Sequence, residues 1–160
     1  MRRFLPLFSA VLIAAIIAVA PAQSHAAKAA KAAKASMAPA IGGYCPVAYA
    51  AVGKAIKGDP KFASMHEGHK YLFVNADAKK AFDAEPGKFK IAYDGWCATA
   101  VAESMKVASD PTQFSVHEGR SYLFSSADAK KMFDAAVAPT IEKAEANWPK
   151  VKTMKVMGMK

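Results

Sequence analysis

Apolar and polar residues alternate over short runs in the central part of the chain, which is the pattern of half-buried β-strands. Residues 61–66 and 69–74 form two such runs around Gly68. A two-residue loop with glycine in its second place suits a tight hairpin, because glycine accepts a positive φ. In the second run Tyr71 and Phe73 share one face of the strand. We therefore predict a β-hairpin with an aromatic face.

A change to helical spacing follows the hairpin pattern. Asn75 stands where a helix N-cap is expected, Asp77 falls in the first turn, and Pro86 ends the pattern. Ser126 has the place of Asn75 in a later stretch of the chain. The apolar residues after Ser126 have the spacing of one helical stripe: Ala129, Met132, Phe133, Ala136 and Val137.

The whole pattern occurs twice, in one register with a single one-residue shift. The recurring pairs are Gly43-Tyr44-Cys45 with Gly95-Trp96-Cys97, Asp59-Pro60 with Asp110-Pro111, His66-Glu67-Gly68 with His117-Glu118-Gly119, Tyr71-Leu72-Phe73 with Tyr122-Leu123-Phe124, and Phe82-Asp83-Ala84 with Phe133-Asp134-Ala135. Chance does not produce this agreement, so the sequence predicts two copies of one supersecondary unit.

One hairpin with one helix is too small to bury its apolar faces alone, whereas two can share a core. We predict an α+β fold in which two pseudo-symmetric hairpin-plus-helix repeats, about residues 43–91 and 95–138, share one core. The domain spans residues 41–149 and includes a further C-terminal helix over residues 139–148. Residues 150–160 form a basic tail that contains methionine.

The N-terminus has the pattern of a secretory signal peptide. A basic start precedes an apolar run over residues 4–20, and small residues then offer two cleavage sites, after Ala22 and after Ala26, of which the second is preferred. An uncleaved membrane anchor is the alternative, but the run is shorter than the roughly 20 residues of a spanning helix. We predict that residues 1–26 are removed, that the protein is periplasmic or secreted, and that the mature chain has no stable membrane insertion.

The formal net charge is +9, and part of it lies in an Ala/Lys segment over residues 27–40. This low-complexity segment has no large side chain to bury, so it is predicted to be a flexible, partly helical linker. Basic segments can contact anionic lipid or nucleic acid. Because no aromatic residues are interleaved with these lysines, we predict a solvated spacer and no nucleic-acid partner.

Cys45 and Cys97 are the only cysteines, and they occupy equivalent places in the two copies. Three arrangements are open. In an oxidising compartment the two thiols can form a disulfide, which for a loop of about 50 residues stabilises by roughly 3–4 kcal/mol. They can instead form one metal site with His66 and His117, if the copies pair about a two-fold axis. The third arrangement is two independent free thiols.

The C-terminal tail offers a second group of soft ligands. Met154, Met157 and Met159 carry thioether sulfur, which selects Cu(I). The alternative is an unstructured basic end, because the lysines that alternate with these methionines repel a cation.

These residues resemble the YHS domain. The resemblance rests on Cys45-Pro46-Val47, His66-Glu67-Gly68, Tyr71-Leu72-Phe73 and the helix with Phe82, and it covers residues 43–149. The family pattern is Cys-Pro-Val, a His-x-Gly hairpin, and Tyr-x-Phe-Cys-Ser before a short helix. Residues 143–149 are similar to the tail of secreted YHS-domain proteins. The resemblance implies a metal-binding module, with copper as the first candidate.

The chain departs from the family pattern at the second cysteine. That cysteine would fall at Val74 in the first copy and at Ser125 in the second. A self-contained cysteine-pair metal site within either copy is therefore excluded.

No catalytic constellation stands out, because the sequence has no Gly-rich phosphate loop and no His-Glu-x-x-His pair. We predict an exported, non-catalytic metal-binding or metal-handling module, with copper or zinc as the ion and a metal-handling protein as the partner. The alternative is a disulfide-stapled structural or interaction domain without metal. An organic ligand such as haem between the halves is a third, permitted function.

Overall fold

The structure of the protein is a computed structural model, and it describes residues 40–157. The described residues belong to one compact unit. The predicted signal peptide, residues 27–39 of the predicted linker, and Met159 lie outside them. No helix within residues 40–157 combines the length and the apolar character that a membrane span requires.

Two antiparallel hairpins and five α-helices make up the described part of the chain, which confirms the α+β class. In chain order the elements are α1 (Pro46–Val52), β1 (Asp59–His66), β2 (His69–Phe73), α2 (Ala76–Ala84), α3 (Ala98–Ala102), β3 (Asp110–His117), β4 (Arg120–Phe124), α4 (Ala127–Ala135) and α5 (Val137–Val151). Short 3-10 turns occur at Ala40–Gly43, Pro86–Phe89 and Ala92–Gly95. We call residues 40–89 unit 1 and residues 92–135 unit 2.

The hairpins have the predicted tight turns. In β1–β2, His66 pairs with His69, and the two loop residues Glu67 and Gly68 have φ values of 47° and 80°. Left-handed conformation at both loop residues matches the twist of the flanking strands, and glycine adopts it without steric cost. β3–β4 has the same register, and His117 pairs with Arg120 at its turn.

The predicted N-caps begin the helices that follow the hairpins. The side-chain oxygen of Asn75 accepts a hydrogen bond from the Ala78 N–H at 2.8 Å, and the Ser126 hydroxyl accepts one from the Ala129 N–H at 3.2 Å. Each bond satisfies an N–H that has no partner within the helix.

The helical stripe predicted after Ser126 is wrong in part. α4 ends at Ala135, and the chain bends at Ala136, whose φ and ψ are −147° and 58°. Val137 therefore begins α5, and Met132 is 60% exposed. The periodic spacing continued across a break in the helix axis, which periodicity alone does not reveal.

The predicted single core is instead three hydrophobic clusters. Cluster A lies in unit 1 and is built on Tyr71, Phe73 and Phe82. Cluster B lies in unit 2 and α5, and its aromatic centre is Tyr122, Phe124 and Phe133. Cluster C joins the units and contains Tyr49, Ile91 and Leu123. In A and B the ring centroids lie 4.9 to 5.1 Å from the phenylalanine of the helix, so each unit builds its own aromatic core.

Contacts between the units run head to tail. Tyr49 of α1 is fully buried against unit 2, where its hydroxyl donates to the Pro111 carbonyl at 2.8 Å and its ring meets Phe114 edge-on at 4.8 Å. Val101 has the same place in α3, but it packs in cluster B with α5. A two-fold interface would exchange equivalent contacts between the units. Here unit 2 covers α1, and α5 covers α3.

The C-terminal helix is longer than predicted and continues through Pro149 to Val151. Pro149 removes one N–H from the helical hydrogen bonds. The helix continues past this residue because Val151 is completely buried in cluster B. The Lys152 N–H also donates to the Trp148 carbonyl at 3.0 Å. The side-chain amide of Asn147 donates to the Ala102 carbonyl at 2.9 Å, which ties this helix to the end of α3.

Residues after Val151 fold back along unit 2. The Met157 N–H donates to the Lys106 carbonyl at 2.8 Å, and Val107 and Met157 form a parallel bridge. The Lys106 ammonium donates to the Lys152 carbonyl at 2.7 Å. The described part of the tail is therefore attached to unit 2, in contrast to the unstructured end that was one of the two predicted alternatives.

Candidate functional site

Cys45 and Cys97 have the same place in their units, immediately before a short helix. Cys45 precedes Pro46 at the start of α1, and Cys97 precedes α3. The Cys45 N–H donates to the Ile56 carbonyl at 2.8 Å, and the Cys97 N–H donates to the Val107 carbonyl at 3.1 Å. Both side chains are fully buried, so neither thiol reaches solvent without local opening.

The Cys97 thiol lies against the end of the hairpin. Its Sγ is 3.4 Å from the Ser125 Oγ, and a parallel bridge joins Cys97 to Leu123. In unit 1, Val74 packs against the cluster that contains Cys45. Val74 and Ser125 are the positions at which the YHS resemblance places its second cysteine. In unit 2 the fold thus brings the two motif positions into direct contact, with a thiol at one and a hydroxyl at the other.

The two thiols do not pack together. Cys45 belongs to cluster A and Cys97 to cluster B, and both are free. A disulfide between them remains a prediction, which would require that the two clusters bring the sulfurs within bonding distance.

The histidines lie at the hairpin turns, and in unit 2 the turn is remote from the cysteine. Cys97 is bridged to Leu123, whereas His117 pairs with Arg120, three residues earlier in the same strand. At about 3.3 Å per residue this places the two sites about 10 Å apart along the strand. Within residues 40–157 no three His, Cys, Asp or Glu side chains are grouped to hold a metal ion. The predicted set of two cysteines and two histidines is therefore not assembled there.

Each turn histidine contacts a carboxylate of its own loop. The His66 Nε2 lies 3.8 Å from Glu67 Oε1, and its ring meets Phe82 edge-on at 5.8 Å. A hydrogen bond from Lys90, followed by its charge, holds the pKa of Glu67 below its ordinary value. In unit 2 the corresponding distance from His117 Nε2 to Glu118 Oε1 is 4.0 Å. Both histidines are therefore partly exposed polar residues at the strand ends, and each has a carboxylate neighbour.

Two methionines pack against the hydrophobic cluster of unit 2. Met105 and Met154 both pack against cluster B, which contains Cys97, and Trp96 packs there too. The Lys106 ammonium lies over the Trp96 ring at 4.9 Å and closes this side of unit 2. Met154 was a predicted ligand, whereas Met105 was missed because it has no counterpart in the first copy.

Met157 is half-exposed beside this cluster and is held by its backbone bond to Lys106. The structure therefore brings two of the three predicted tail methionines to unit 2, and the third lies outside the described residues. Met105 and Met154 thus share a cluster with Cys97, whereas Cys45 lies in cluster A.

A polar cluster between the second hairpin and α5 contains one positive and one negative side chain, and these two form an ion pair. Arg120 Nη1 donates to Glu145 Oε1 at 2.7 Å, and its guanidinium lies 5.5 Å from the Tyr93 ring centroid. The Tyr93 hydroxyl donates to the same carboxylate at 3.3 Å, and burial raises the pKa of this tyrosine. Since Arg120 of β4 and Glu145 of α5 neutralise each other, this cluster attaches α5 to the second hairpin.

Comparisons of the chain with protein-family models, curated proteins and solved structures found no match. The functional argument therefore rests on the residues and contacts of the chain itself.

Proposed function

We propose that the chain is an exported, non-catalytic module of the YHS kind that binds a soft metal ion, copper(I), at Cys97 of unit 2. The observation that carries the proposal is the 3.4 Å contact between Cys97 Sγ and Ser125 Oγ. It joins the two positions at which the family pattern has cysteines. Unit 2 retains one of the two sulfurs, and Met105 and Met154 pack against the same cluster as thioether candidates.

The ligand chemistry favours copper(I) over zinc. Cu(I) accepts two or three soft ligands, and thiolate and thioether sulfur are its preferred donors. A structural Zn(II) site takes four nitrogen, sulfur or oxygen ligands, and within the described residues no such group surrounds Cys97. Binding would release the proton of the buried thiol, so affinity would increase with pH.

The two units are proposed to be pseudo-symmetric copies of one ancestral module. Support comes from their common order of helices and strands, the same strand register in both hairpins, and an N-cap at the same place in each. Export would follow from the signal peptide predicted over residues 1–26, and a metal-handling protein of the same compartment would supply the ion.

The direct test is competition of the purified, reduced protein with a Cu(I) chelator, for wild type and two matched cysteine variants. We expect one equivalent of Cu(I) in wild type and in Cys45→Ala, and loss of at least tenfold in affinity in Cys97→Ala. Both substitutions remove one buried thiol, so each controls for the other's effect on folding. Equal affinity in Cys97→Ala and Cys45→Ala would contradict the assignment to unit 2.

A gain-of-function variant tests the geometry independently. Ser125→Cys should place a second sulfur beside Cys97 and strengthen Cu(I) binding at least tenfold, with a thiolate-to-metal absorption band in the near ultraviolet. The control Ser121→Cys adds a thiol at a buried position of β4, four residues before Ser125, and should not strengthen binding. Unchanged affinity in a folded Ser125→Cys would count against the site.

An interaction domain without metal is the second candidate, and burial of both thiols favours it. Counting thiols in the mature, non-reduced protein separates the candidates. Two oxidised cysteines would support the predicted staple between Cys45 and Cys97. Two free thiols together with one bound Cu(I) would exclude it, and an absorbance scan of the same sample would reveal haem.

A further inference from the structure

Two histidines flank the loop of the first hairpin. His66 ends β1 and His69 begins β2, and the two residues are paired directly across the turn. Residues that oppose each other in an antiparallel pair share one face of the hairpin, and their Cβ atoms lie about 4.5–5.5 Å apart. The two imidazoles therefore leave the backbone side by side, on the same face of unit 1.

Aromatic contacts support both imidazole rings on that face. The His66 ring meets Phe82 edge-on at 5.8 Å, and the His69 ring meets Tyr71 at 6.5 Å. Tyr71 and Phe82 contact each other at 5.0 Å, so the four rings form one connected row with a histidine at each end. The His66 side chain is 29% exposed and His69 is exposed. Imidazoles that are restricted by packing but accessible to solvent are suited to bind a metal ion, because little freedom is lost on binding.

A carboxylate lies beside this pair but is already neutralised. Glu67 Oε1 lies 3.8 Å from His66 Nε2, and the Glu67 carboxylate forms an ion pair with the Lys90 ammonium. In the part of the chain that the structure describes, no third His, Cys, Asp or Glu completes a metal-binding group. The histidine pair therefore supplies two nitrogen ligands and leaves the remaining coordination positions to water.

The second hairpin has no such pair, although its register is the same. Arg120 stands opposite His117, in the place of His69. Its guanidinium pairs with Glu145 and so attaches α5 to the hairpin. In unit 1 a short 3-10 turn, Pro86–Phe89, follows α2 in the place of α5, so the residue in this place has no such helix to attach. The histidine pair is a property of unit 1 and not a requirement of the repeated fold.

We propose that His66 and His69 form a two-ligand site for a divalent transition-metal ion, with Cu(II) as the preferred ion and Ni(II) as a weaker analogue. Imidazole nitrogen suits both ions, and their tetragonal coordination can be completed by water. Once one imidazole has bound, the other is held nearby at a high effective concentration, so the pair binds more tightly than a single surface histidine. The site lies in unit 1 and uses no sulfur, so it is independent of Cu(I) binding at Cys97.

Calorimetric titration of the mature protein, residues 27–160, with Ni(II) tests this site. Ni(II) is the probe because thiols do not reduce it, and the mature chain excludes His25. We expect one equivalent in wild type and in Cys97→Ala, and an affinity at least tenfold lower in His66→Ala. His69→Arg, which installs the residue of unit 2, and the uncharged His69→Gln should lose as much. His117→Ala removes the remaining histidine of the mature chain and should leave the affinity unchanged.

A gain of binding in unit 2 supplies a test that misfolding cannot imitate. Arg120→His places a histidine opposite His117 in the second hairpin and should add a second equivalent of Ni(II). The control Arg120→Gln removes the same guanidinium without adding a ligand and should add none.

Four results would overturn the proposal. The first is a dissociation constant above about 1 mM for Ni(II) in wild type. The second is wild-type affinity in His69→Gln. The third is uptake that depends on Cys97 in place of the histidines, since the metal would then belong to unit 2. The fourth is a folded Arg120→His that still takes up only one equivalent, since the paired register would then not suffice for binding.

Discussion

Units 1 and 2 are built on the same plan but are covered in different ways. The helix after Cys45 is covered by the second hairpin through Tyr49, whereas the helix after Cys97 is covered by α5 through Val101. Both interiors keep the same central phenylalanine, Phe82 in unit 1 and Phe133 in unit 2. The fully buried residue that meets each neighbour differs, and it is Tyr49 in α1 and Val101 in α3. The neighbour of each short helix therefore determines which residue stands there.

Replacement of the central phenylalanine is the strongest way to compare the two interiors. Phe82→Ala in unit 1 and Phe133→Ala in unit 2 should each lower the free energy of unfolding by about 3–5 kcal/mol, because each removes a fully buried ring. Both tryptophans, Trp96 and Trp148, lie outside unit 1. Urea unfolding followed by tryptophan fluorescence should therefore detect Phe82→Ala only if the units unfold together, as we expect. An unchanged fluorescence midpoint would mean that they unfold separately.

The contact between the units is tested by Tyr49→Phe. This change removes the hydroxyl bond to the Pro111 carbonyl and leaves that carbonyl without its partner, at a cost of about 1–2 kcal/mol. Tyr44→Phe is the control, because the Tyr44 hydroxyl makes no side-chain hydrogen bond to another described residue. The melting temperatures of the two variants measure this difference. Equal decreases would show that the Tyr49 hydrogen bond does not stabilise the contact between the units.

The helix caps provide a smaller, symmetric comparison. Asn75→Ala and Ser126→Ala should each cost about 1 kcal/mol, since each leaves an N–H of the first turn unpaired. Asn75→Ser keeps an acceptor at the cap and should restore most of the loss in unit 1. Chemical denaturation measures the free energy of unfolding of all three variants. If only one of the two alanine variants lost stability, water would replace the cap side chain in the other unit.

The smallest effect concerns acid stability. A hydrogen bond from Lys79, then one from Ser64, lowers the pKa of Asp83 from 3.8. The pKa of Asp134 is lowered as well, since desolvation is outweighed by hydrogen bonds that include one from Lys130. A carboxylate whose pKa is lower in the folded state stabilises the fold. Its whole contribution to the free energy of unfolding is present above about pH 3.8 and is lost as the pH falls below that value. Asp83→Asn and Asp134→Asn should therefore flatten the decrease in melting temperature between pH 5 and 3, only slightly because both groups are exposed.

Local features of the fold were predictable from the sequence. Both hairpin turns and both N-caps follow from short-range chemistry at Gly68, Asn75 and Ser126. α1 was missed, although Pro46 at its start and Gly53, with φ of 61° at its end, are helix signals. The end of α5 was misplaced because burial of Val151 outweighs the proline, and burial depends on contacts with a distant part of the chain.

The candidate site was predictable only in part. The resemblance implied metal binding at Cys97, but the contact with Ser125 was not predicted, because Ser125 lacks the sulfur of the family pattern. The head-to-tail arrangement of the units could not be inferred, because a repeat in sequence is compatible with any symmetry. Cys45 lies in cluster A and Cys97 in cluster B, and Met154 of the tail packs against cluster B, as Met105 of unit 2 does.

Head-to-tail stacking has no intrinsic end, because each added copy presents the same receptive face to the next. In this chain α5 occupies that face on the last unit and so acts as a terminator. A chain shortened before Val137 would expose the Val101 surface that α5 covers. The C-terminal helix thus caps the second unit.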